Sequence, residues 1–386
     1  MVPYEEVGIH IGKYGDFIFV GNGLHNSGMK KTILLCLIIV GALFFGCSNK
    51  EGKIPSNYKI GVIETTEYDK DTIVSFYDEN FKKLSEKKIP HKGMTNVYDT
   101  AYIYKDTWYC APAGELQKGT SVAVSMNINT GQIKEYDFGK EHARGFFHQA
   151  ANSQAYFVCS NLNGIDRIAR YDNKTKKIIE ITSEKDLYTY IDADDKYVYV
   201  FVNDLTPRSN NALNDKYLIL NQSDLSLVKE IPLNHYGYSF HSYQDESAYY
   251  FTYNMEESPQ SYLGILDKKT LQISLVDLGE TKTAMIERSG DYLFISNTDV
   301  IEAIGNKVTK FNPNTKEMST YDIDHNVSEI RCDNENIYMI DHDYRNMELT
   351  LYKYIYDYNK DTLKEEKSKK INITKDLSFG SFYLKK

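Results

Sequence analysis

The chain has 386 residues, a formal net charge of −9 at pH 7, and many aromatic residues, mainly 33 Tyr and 17 Phe with a single Trp. An acidic chain lacks the basic face that holds nucleic-acid phosphates, so the composition excludes a nucleic-acid partner. The length suits either two or three ordinary domains or one repeat domain, so internal repeats decide the architecture.

The N-terminal part carries a targeting signal. Met29 is followed by two lysines and then by an apolar segment of about fourteen residues that ends at Gly46, next to Cys47. The segment is short for a membrane-spanning helix and is typical of a secretory signal. Because targeting segments are terminal, we predict that Met29 starts the protein and that residues 1–28 are an over-extended reading frame. The alternative is a small extra pair of strands around Asp16.

The end of this segment contains a short motif. Leu43-Phe44-Phe45-Gly46-Cys47 resembles the lipobox of bacterial lipoproteins, with Phe44 where Leu is commonest. The resemblance implies that residues 29–46 are a cleaved signal peptide and that the Cys47 thiol carries a lipid. Residues 47–57 then tether a folded domain to the cell membrane, outside the cytoplasm. The alternative, a buried cysteine after an apolar helix, leaves the lysine pair and the polar tail unexplained.

Three cysteines remain in the mature chain, namely Cys110, Cys159 and Cys332. An odd number does not form a disulfide framework. Each lies in an apolar run or beside one, so we expect them to fill space as small apolar side chains.

A repeat begins after the tether and continues towards the C-terminus. Its clearest copy, residues 152–181, contains three short strands rich in Tyr, Ile and Val, separated by Asn, Asp, Gly and Lys-Thr turns. This pattern is typical of successive antiparallel hairpins. Strand ends that close with Asp or Asn occur seven times, at Ser75–Asp78, Met126–Asn129, Ala169–Asp172, Leu218–Asn221, Gly264–Asp267, Thr309–Asn312 and Tyr356–Asn359. Their spacing averages about 47 residues, within the range of four-stranded propeller blades.

We therefore predict an all-β fold, a single seven-bladed β-propeller of four-stranded antiparallel blades over residues 58–386. The pattern resembles bacterial β-propellers of the YVTN and WD-repeat kind, although the Gly-His and Trp-Asp dipeptides of WD repeats are absent. The first blade lacks its first strand, and Leu377–Leu384 is a strand without a blade. We expect this C-terminal strand to pair with the first blade and close the ring, because closure removes exposed strand edges.

Propellers usually bind ligands near the segments that lead into the first strand of each blade. In this chain those leading segments hold most of the mature His residues and several Tyr and Arg. We expect a polar and aromatic funnel there; the alternative is that a channel lined by backbone ends is polar for structural reasons alone. The candidate ligand-binding residues are Arg144, His148, Tyr190, Tyr238, His241 and Arg331.

The sequence shows no catalytic or cofactor motif, and we expect no cofactor. Gly-x-Ser-x-Gly sequences and Gly-rich phosphate loops are absent. Asp192–Asp195 lacks the Gly and the distal Glu of a calcium loop, so we interpret it as a hairpin turn.

The longest insertion, residues 203–215, is interpreted as a solvated loop that is a candidate for ligand specificity. Four histidines are considered as ligands of one metal ion, namely His142, His235, His241 and His325. Their spacing in the sequence does not support a metal site.

Two functions remain open. The first is a membrane-anchored, monomeric propeller that binds or scaffolds a peptide, glycan or protein of the cell envelope, and the absence of catalytic motifs favours it. The second is a cell-envelope hydrolase or lyase with its active site in the central funnel. A ring of converging carboxylates or imidazoles in the structure would favour the second function.

Overall fold

The structure is a computed structural model that describes residues 53–66, 70–94, 101–112, 121–139, 146–204, 215–233, 236–256, 258–300, 302, 304–343 and 346–385. All of them belong to one compact unit, Glu51–Lys386. Cys47, Arg144 and the predicted signal peptide lie outside the described residues. Among the described residues, no helix is long and apolar enough to span a membrane.

The described part of the chain consists of short strands joined by turns. The strands in the first half are β1 (Ile60–Thr65), β2 (Thr72–Tyr77), β3 (Lys83–Ile89), β4 (Tyr102–Tyr104), β5 (Thr107–Cys110), β6 (Val122–Asn127), β7 (Ile133–Asp137), β8 (Phe146–Ala151), β9 (Ala155–Leu162), β10 (Ile165–Asp172), β11 (Ile178–Ser183), β12 (Asp186–Ala193), β13 (Tyr197–Asp204), β14 (Asp215–Asn221) and β15 (Leu227–Pro232). Those in the second half are β16 (Gly237–Tyr238), β17 (Ser242–Gln244), β18 (Ala248–Met255), β19 (Gln260–Asp267), β20 (Gln272–Glu280), β21 (Ile286–Ser289), β22 (Tyr292–Asp299), β23 (Ile304–Phe311), β24 (Met318–Asp322), β25 (Glu329–Cys332), β26 (Asn336–Asp343), β27 (Glu348–Asp357), β28 (Thr362–Ile371) and β29 (Ser378–Leu384).

These strands form seven antiparallel sheets, which confirms the predicted seven-bladed propeller. Blade 1 contains β29, β1, β2 and β3 in that spatial order, and blades 2 to 7 follow along the chain. In blade 5 the first strand is split into β16 and β17, which both pair with β18. First strands of neighbouring blades contact one another, for example β8 with β12 and β25 with β29, so they surround a central channel.

The repeat seen in the sequence corresponds to one turn in every blade, between the third and fourth strands. There an Asp or Asn side-chain oxygen accepts a hydrogen bond from the backbone N–H two residues later, which fixes the turn. The seven capping residues are Asp78, Asn127, Asp172, Asn221, Asp267, Asn312 and Asp357. In six of these turns the residue four positions later has a positive φ; in blade 2 it is Gly131, for which this conformation has no steric cost.

The core lies between the blades. The described residues form seven clusters of buried apolar side chains, one between each pair of neighbouring blades. Cys110, Cys159 and Cys332 are buried members of these clusters, which confirms that they pack as apolar side chains. Each blade therefore buries both of its faces only when its two neighbours are in place.

The ring is closed as predicted, by β29. This strand pairs with β1 from Ile60 opposite Leu384 to Thr65 opposite Ser378. Phe379, Phe382 and Leu384 are buried, as the closure hypothesis requires. Gly61 lies opposite Tyr383, whose ring covers it so closely that an added Cβ would be 2.3 Å from the ring. The glycine is therefore required by this close approach.

Candidate binding cavity

A cavity of about 1260 Å³ occupies the central channel. The turns between first and second strands and between third and fourth strands lie on one face of the ring, the hairpin face; the segments leading into the first strands lie on the opposite face, the loop face. The cavity opens on the hairpin face, where its exposed residues come from turns of blades 2, 4 and 5. They are Lys105, Asp195, Lys196, Glu246, Ser247, Asp267 and Lys269.

One wall of the cavity is built around the buried carboxyl group of Asp192 in blade 4. The Tyr102 hydroxyl of blade 2 donates to its Oδ1 at 2.9 Å, and the Ser242 hydroxyl of blade 5 donates to its Oδ2 at 2.6 Å. The Gln244 amide also donates to Oδ2, at 3.3 Å, and the Tyr190 hydroxyl lies 3.1 Å from Ser242 Oγ. Burial raises the pKa of Asp192, while these donors oppose the shift. The network joins three blades and fixes the wall.

The floor of the cavity contains the guanidinium group of Arg331 from blade 7. Its Nη1 donates to Glu287 Oε1 of blade 6 at 2.8 Å and lies 3.4 Å from His241 Nε2 of blade 5. Its Nε donates to the Phe382 carbonyl of blade 1 at 3.1 Å, and its Nη2 donates to the Ala101 carbonyl, just before blade 2, at 3.2 Å. One side chain thus contacts four other blades and donates hydrogen bonds to three of them, because the guanidinium fork offers five donors in a fixed plane.

His241 is held as a neutral imidazole beside this guanidinium. Burial, together with the charge of Arg331, lowers the pKa of His241 to about 3. The Ile286 backbone N–H approaches its Nδ1 at 3.3 Å, on the other side from Arg331. A neutral imidazole has only one free acceptor nitrogen, so only one of these two contacts is a hydrogen bond. His241 is therefore not a proton donor near neutral pH.

A second buried carboxyl group, Glu329, connects blade 7 to the closing strand. The Ser381 hydroxyl donates to Glu329 Oε2 at 2.8 Å, and Ser381 Oγ accepts from the Ala101 N–H at 2.8 Å. Arg331 Nη2 is 4.0 Å from the same carboxylate, but it is also engaged elsewhere. Burial raises the pKa of Glu329 to about 7.

This shift predicts a pH dependence of stability. The folded-state pKa lies above the ordinary value of 4.5, so the folded chain binds more protons between these two values, and stability falls as the pH rises from about 4.5 to about 7. Glu329→Gln keeps an acceptor for Ser381 without a charge, and should remove a cost of the order of 3 kcal/mol at pH 8. Melting temperatures from pH 5 to 8 should fall less steeply for Glu329→Gln than for the wild type. If the melting temperature of Glu329→Gln falls with pH as steeply as those of the wild type and of the exposed control Glu246→Gln, this account is contradicted.

Charged groups at the mouth are held by partners within the protein. Lys268 Nζ lies 3.0 Å from Asp194 Oδ2, which also accepts from the Tyr199 hydroxyl at 2.7 Å. The Ser153 hydroxyl donates to Asp195 Oδ1 at 2.6 Å and lowers the pKa of that carboxyl. These carboxylates are therefore ionised and fixed in position near neutral pH.

The predicted candidates occupy different environments. Tyr190, His241 and Arg331 line the cavity. His148 is buried in β8, with its ring centre 5.5 Å from that of Tyr190, and does not line it. Tyr238 packs against Phe240 and also lies outside the lining. The sequence placed the funnel on the loop face, whereas the described cavity opens on the hairpin face.

The long insertion is fixed at its two ends. Its residues 205–214 lie outside the described residues, but Asn203 Nδ2 donates to Asp215 Oδ1 at 2.6 Å. The Gly237 N–H and the Tyr253 hydroxyl also donate to Asp215, at 2.5 and 3.2 Å. Burial raises the pKa of this carboxyl to about 6. The insertion therefore starts and ends at one buried polar cluster on the loop face.

Metal and nucleophile chemistry find little support at this site. Within the described ranges, no group of three His, Cys, Asp or Glu residues is placed to hold a metal ion. His325, one of the four histidines considered, stacks on Tyr352. The Ser242 hydroxyl is engaged with Asp192 and Tyr190.

Sequence reasoning missed most of the wall residues, including Tyr102, Ser242, Gln244 and Lys268. Asp192 was assigned to a hairpin turn; the turn is capped by Asp194, whereas Asp192 lies in β12 and faces the network. A usable signal was present, since Asp192 and Gln244 each lie just before a polar turn that joins the first and second strands of their blade, residues 194–196 and 245–247. Polar residues at that position of a first strand reach the hairpin-face end of the channel.

Comparisons with known proteins identify the fold only. No family model and no curated protein sequence matches the chain. The chain is similar in structure to apo AztD from Citrobacter koseri (9% identity, TM-score 0.51, covering 85% of this chain and 98% of that one). It is also similar to a putative 6-phosphogluconolactonase from Bacteroides uniformis (11%, 0.54, 84% and 99%) and to an apocarotenoid oxygenase from Synechocystis (10%, 0.53, 87% and 94%). Since the names of these proteins indicate unrelated roles, their shared fold does not indicate a function.

Proposed function

We propose that this protein is an extracytoplasmic lipoprotein, anchored to the cell membrane through Cys47, whose propeller binds a peptide, glycan or protein of the cell envelope without catalysing a reaction. The observation that carries the proposal is the cavity of about 1260 Å³, which opens on the hairpin face and is lined by fixed polar and aromatic side chains. Large concave sites with a few fixed polar groups are the usual form of ligand sites.

The cavity wall supports binding because it is preformed. Asp192, Ser242 and Gln244 are tied to one another across blades 4 and 5, so a ligand would not have to order them. Less side-chain entropy is then lost on association. A hydrolase needs an activated nucleophile or a positioned acid and base, and Ser242 has instead a carboxylate and a tyrosine as partners.

Anchoring rests on the lipobox resemblance, and it predicts a simple result. Replacing the thiol in Cys47→Ser should move the protein from the membrane fraction to the soluble fraction, since the polar tether has no other membrane affinity. The measurement is fractionation followed by a carbonate wash, with Cys110→Ser as the control that retains the anchor. A Cys47→Ser protein that stays with washed membranes would contradict the anchor.

The binding role is tested by obstructing the mouth. Lys105→Trp combined with Glu246→Trp places large rings on opposite sides, on blades 2 and 5, at exposed positions. Because Lys105 has a positive φ of 52°, where a bulky residue is strained, the melting temperature of the double variant is compared with that of the parent first. The mature domain, incubated with a cell-envelope extract and washed, should retain material that the double variant loses by at least about tenfold. Met318→Trp on the outer strand of blade 6 is the control. Equal retention by all three proteins, measured by mass spectrometry of the eluate, would overturn the proposal.

A further inference from the structure

The walls of the cavity near its mouth are rich in half-buried tyrosines. Tyr104 of blade 2, Tyr197 of blade 4 and Tyr243 of blade 5 all line it. A tyrosine combines an apolar ring with a polar hydroxyl. Saccharide rings have the matching character, with apolar C–H faces bordered by hydroxyl groups. Tyrosines from three blades therefore offer surfaces on which such rings can stack.

The polar groups between these rings carry charges of both signs. Lys268 is paired with Asp194, Lys105 interacts electrostatically with Asp195, and Lys269 interacts with Asp267, which caps the same turn. Neither sign dominates the mouth, so it does not select a strongly charged ligand. Hydroxyl groups both donate and accept hydrogen bonds, so they can satisfy neighbouring ammonium and carboxylate groups alike.

The backbone of the channel is poorly suited to an extended peptide. Such a peptide binds by adding a strand to an open sheet edge and needs free carbonyl and amide groups there. Three carbonyls at or beside the first strands, those of Ala101, Ala193 and Phe382, already accept hydrogen bonds from Arg331 or Gln244.

We propose that the cavity binds an oligosaccharide, an inference that rests on the binding function above and specifies its ligand class. The volume agrees with a ligand of several sugar units, because about 1260 Å³ exceeds the roughly 300–1,000 Å³ of ordinary small-molecule pockets. Asp194, Asp195 and Gln244 are each held by a second protein partner, so they meet the sugar hydroxyls in fixed positions.

The start of the domain lies on the same face as the mouth. Lys59 Nζ is 2.9 Å from Asp333, in the turn between the first two strands of blade 7, and the Tyr58 hydroxyl donates to the Ile128 carbonyl in a turn of blade 2. From Lys53 back to Cys47 the extended chain reaches about 20 Å at most. An anchor at Cys47 thus keeps the mouth near the membrane surface. The saccharide is then either a glycolipid headgroup or a soluble glycan. Both present the same sugar rings and hydroxyl groups to the cavity.

The experiment measures binding of defined saccharides to the mature domain by isothermal titration. The probes are soluble linear tetramers of glucose, mannose and N-acetylglucosamine, with a neutral and a lysine-rich octapeptide for comparison. We expect at least one tetramer to bind, and Tyr104→Ala and Tyr197→Ala each to weaken that binding by about tenfold. Tyr104→Phe keeps the ring and should retain most of the affinity. Tyr358→Ala, an exposed tyrosine outside the cavity, should have no effect.

The results separate the ligand class from the binding function. If no tetramer binds at millimolar concentration, or if the two alanine variants bind it as the wild type does, the oligosaccharide inference is overturned. Octapeptide binding that is lost when Lys105→Trp and Glu246→Trp are combined would overturn it too, yet would leave the binding function standing. The binding function itself is tested by the envelope-extract experiment. If the double tryptophan variant and the wild type retain equal amounts of envelope material, both the oligosaccharide inference and the binding function are overturned.

Two further arms identify the source of the saccharide. Vesicles of neutral phospholipid that carry the bound tetramer as a lipid headgroup are compared with the soluble tetramer. Binding of the unlipidated mature domain to these vesicles, competed by soluble tetramer and abolished by Tyr197→Ala, supports a glycolipid source. Competition by soluble tetramer without vesicle binding supports a soluble glycan. A vesicle interaction that Tyr197→Ala leaves unchanged counts against the cavity as the saccharide site.

Discussion

Deleting residues 377–386 should lower the free energy of unfolding by several kcal/mol, because the deletion removes the closing strand. Leu377, Phe379, Phe382, Tyr383 and Leu384 are all buried, and each large apolar side chain contributes about 1.5–3 kcal/mol. The deletion also exposes the paired edge of β1 and the apolar faces of blades 1 and 7. Urea denaturation followed by circular dichroism measures the loss.

Full-length variants keep this prediction testable if the shortened chain does not fold. Phe382→Ala should cost about 3–5 kcal/mol, since the side chain is fully buried between blades 1 and 7. Ser378→Ala, at the exposed start of the same strand, should change stability by less than about 0.5 kcal/mol. A truncated protein that melts at the temperature of the parent would show that β29 does not hold the ring closed.

Arg331→Met should destabilise the propeller by about 3–5 kcal/mol, as expected when one partner of a buried ion pair is removed. The substitution leaves the Glu287 carboxylate without its cation and leaves the Ala101 and Phe382 carbonyls without their donor. Unpaired buried groups are costly because they have lost their water without gaining a partner. The measurement is again the free energy of unfolding in urea.

A matched arginine provides the control. Arg288 pairs with Asp245 at 2.9 Å near the cavity mouth, but its side chain is 31% exposed, against 8% for Arg331. Arg288→Met should therefore cost about 1 kcal/mol or less. Combining Arg331→Met with Glu287→Leu should recover part of the loss, because the Glu287 carboxylate is then no longer left without its cation. Equal costs for the two single arginine variants would mean that Arg331 is not the tie between blades.

Arg331 also shows the limit of the candidate list drawn from the sequence. The sequence suggested a ligand-binding arginine, and the structure places it at the floor of the cavity, but its donors are directed to three other blades. Tyr190 is likewise bonded, to Ser242. A polar channel residue can thus serve the ring and line the site at once, and strand alternation does not separate these roles.

The number of blades and the closure of the ring were determined by the sequence alone. Both depend on local chemistry that repeats: Asp or Asn caps a turn with its own neighbours, and a strand without a blade must pair with a blade without a strand. The meeting of Asp192 with Tyr102 and Ser242, and of Arg331 with Glu287 and His241, was decided only by the tertiary structure. These partners come from different blades, and their distances depend on how the blades tilt and pack around the channel. The same packing decides that the cavity opens on the hairpin face, because neither the periodicity of a strand nor the chemistry of a turn specifies the width of the ring at its two ends.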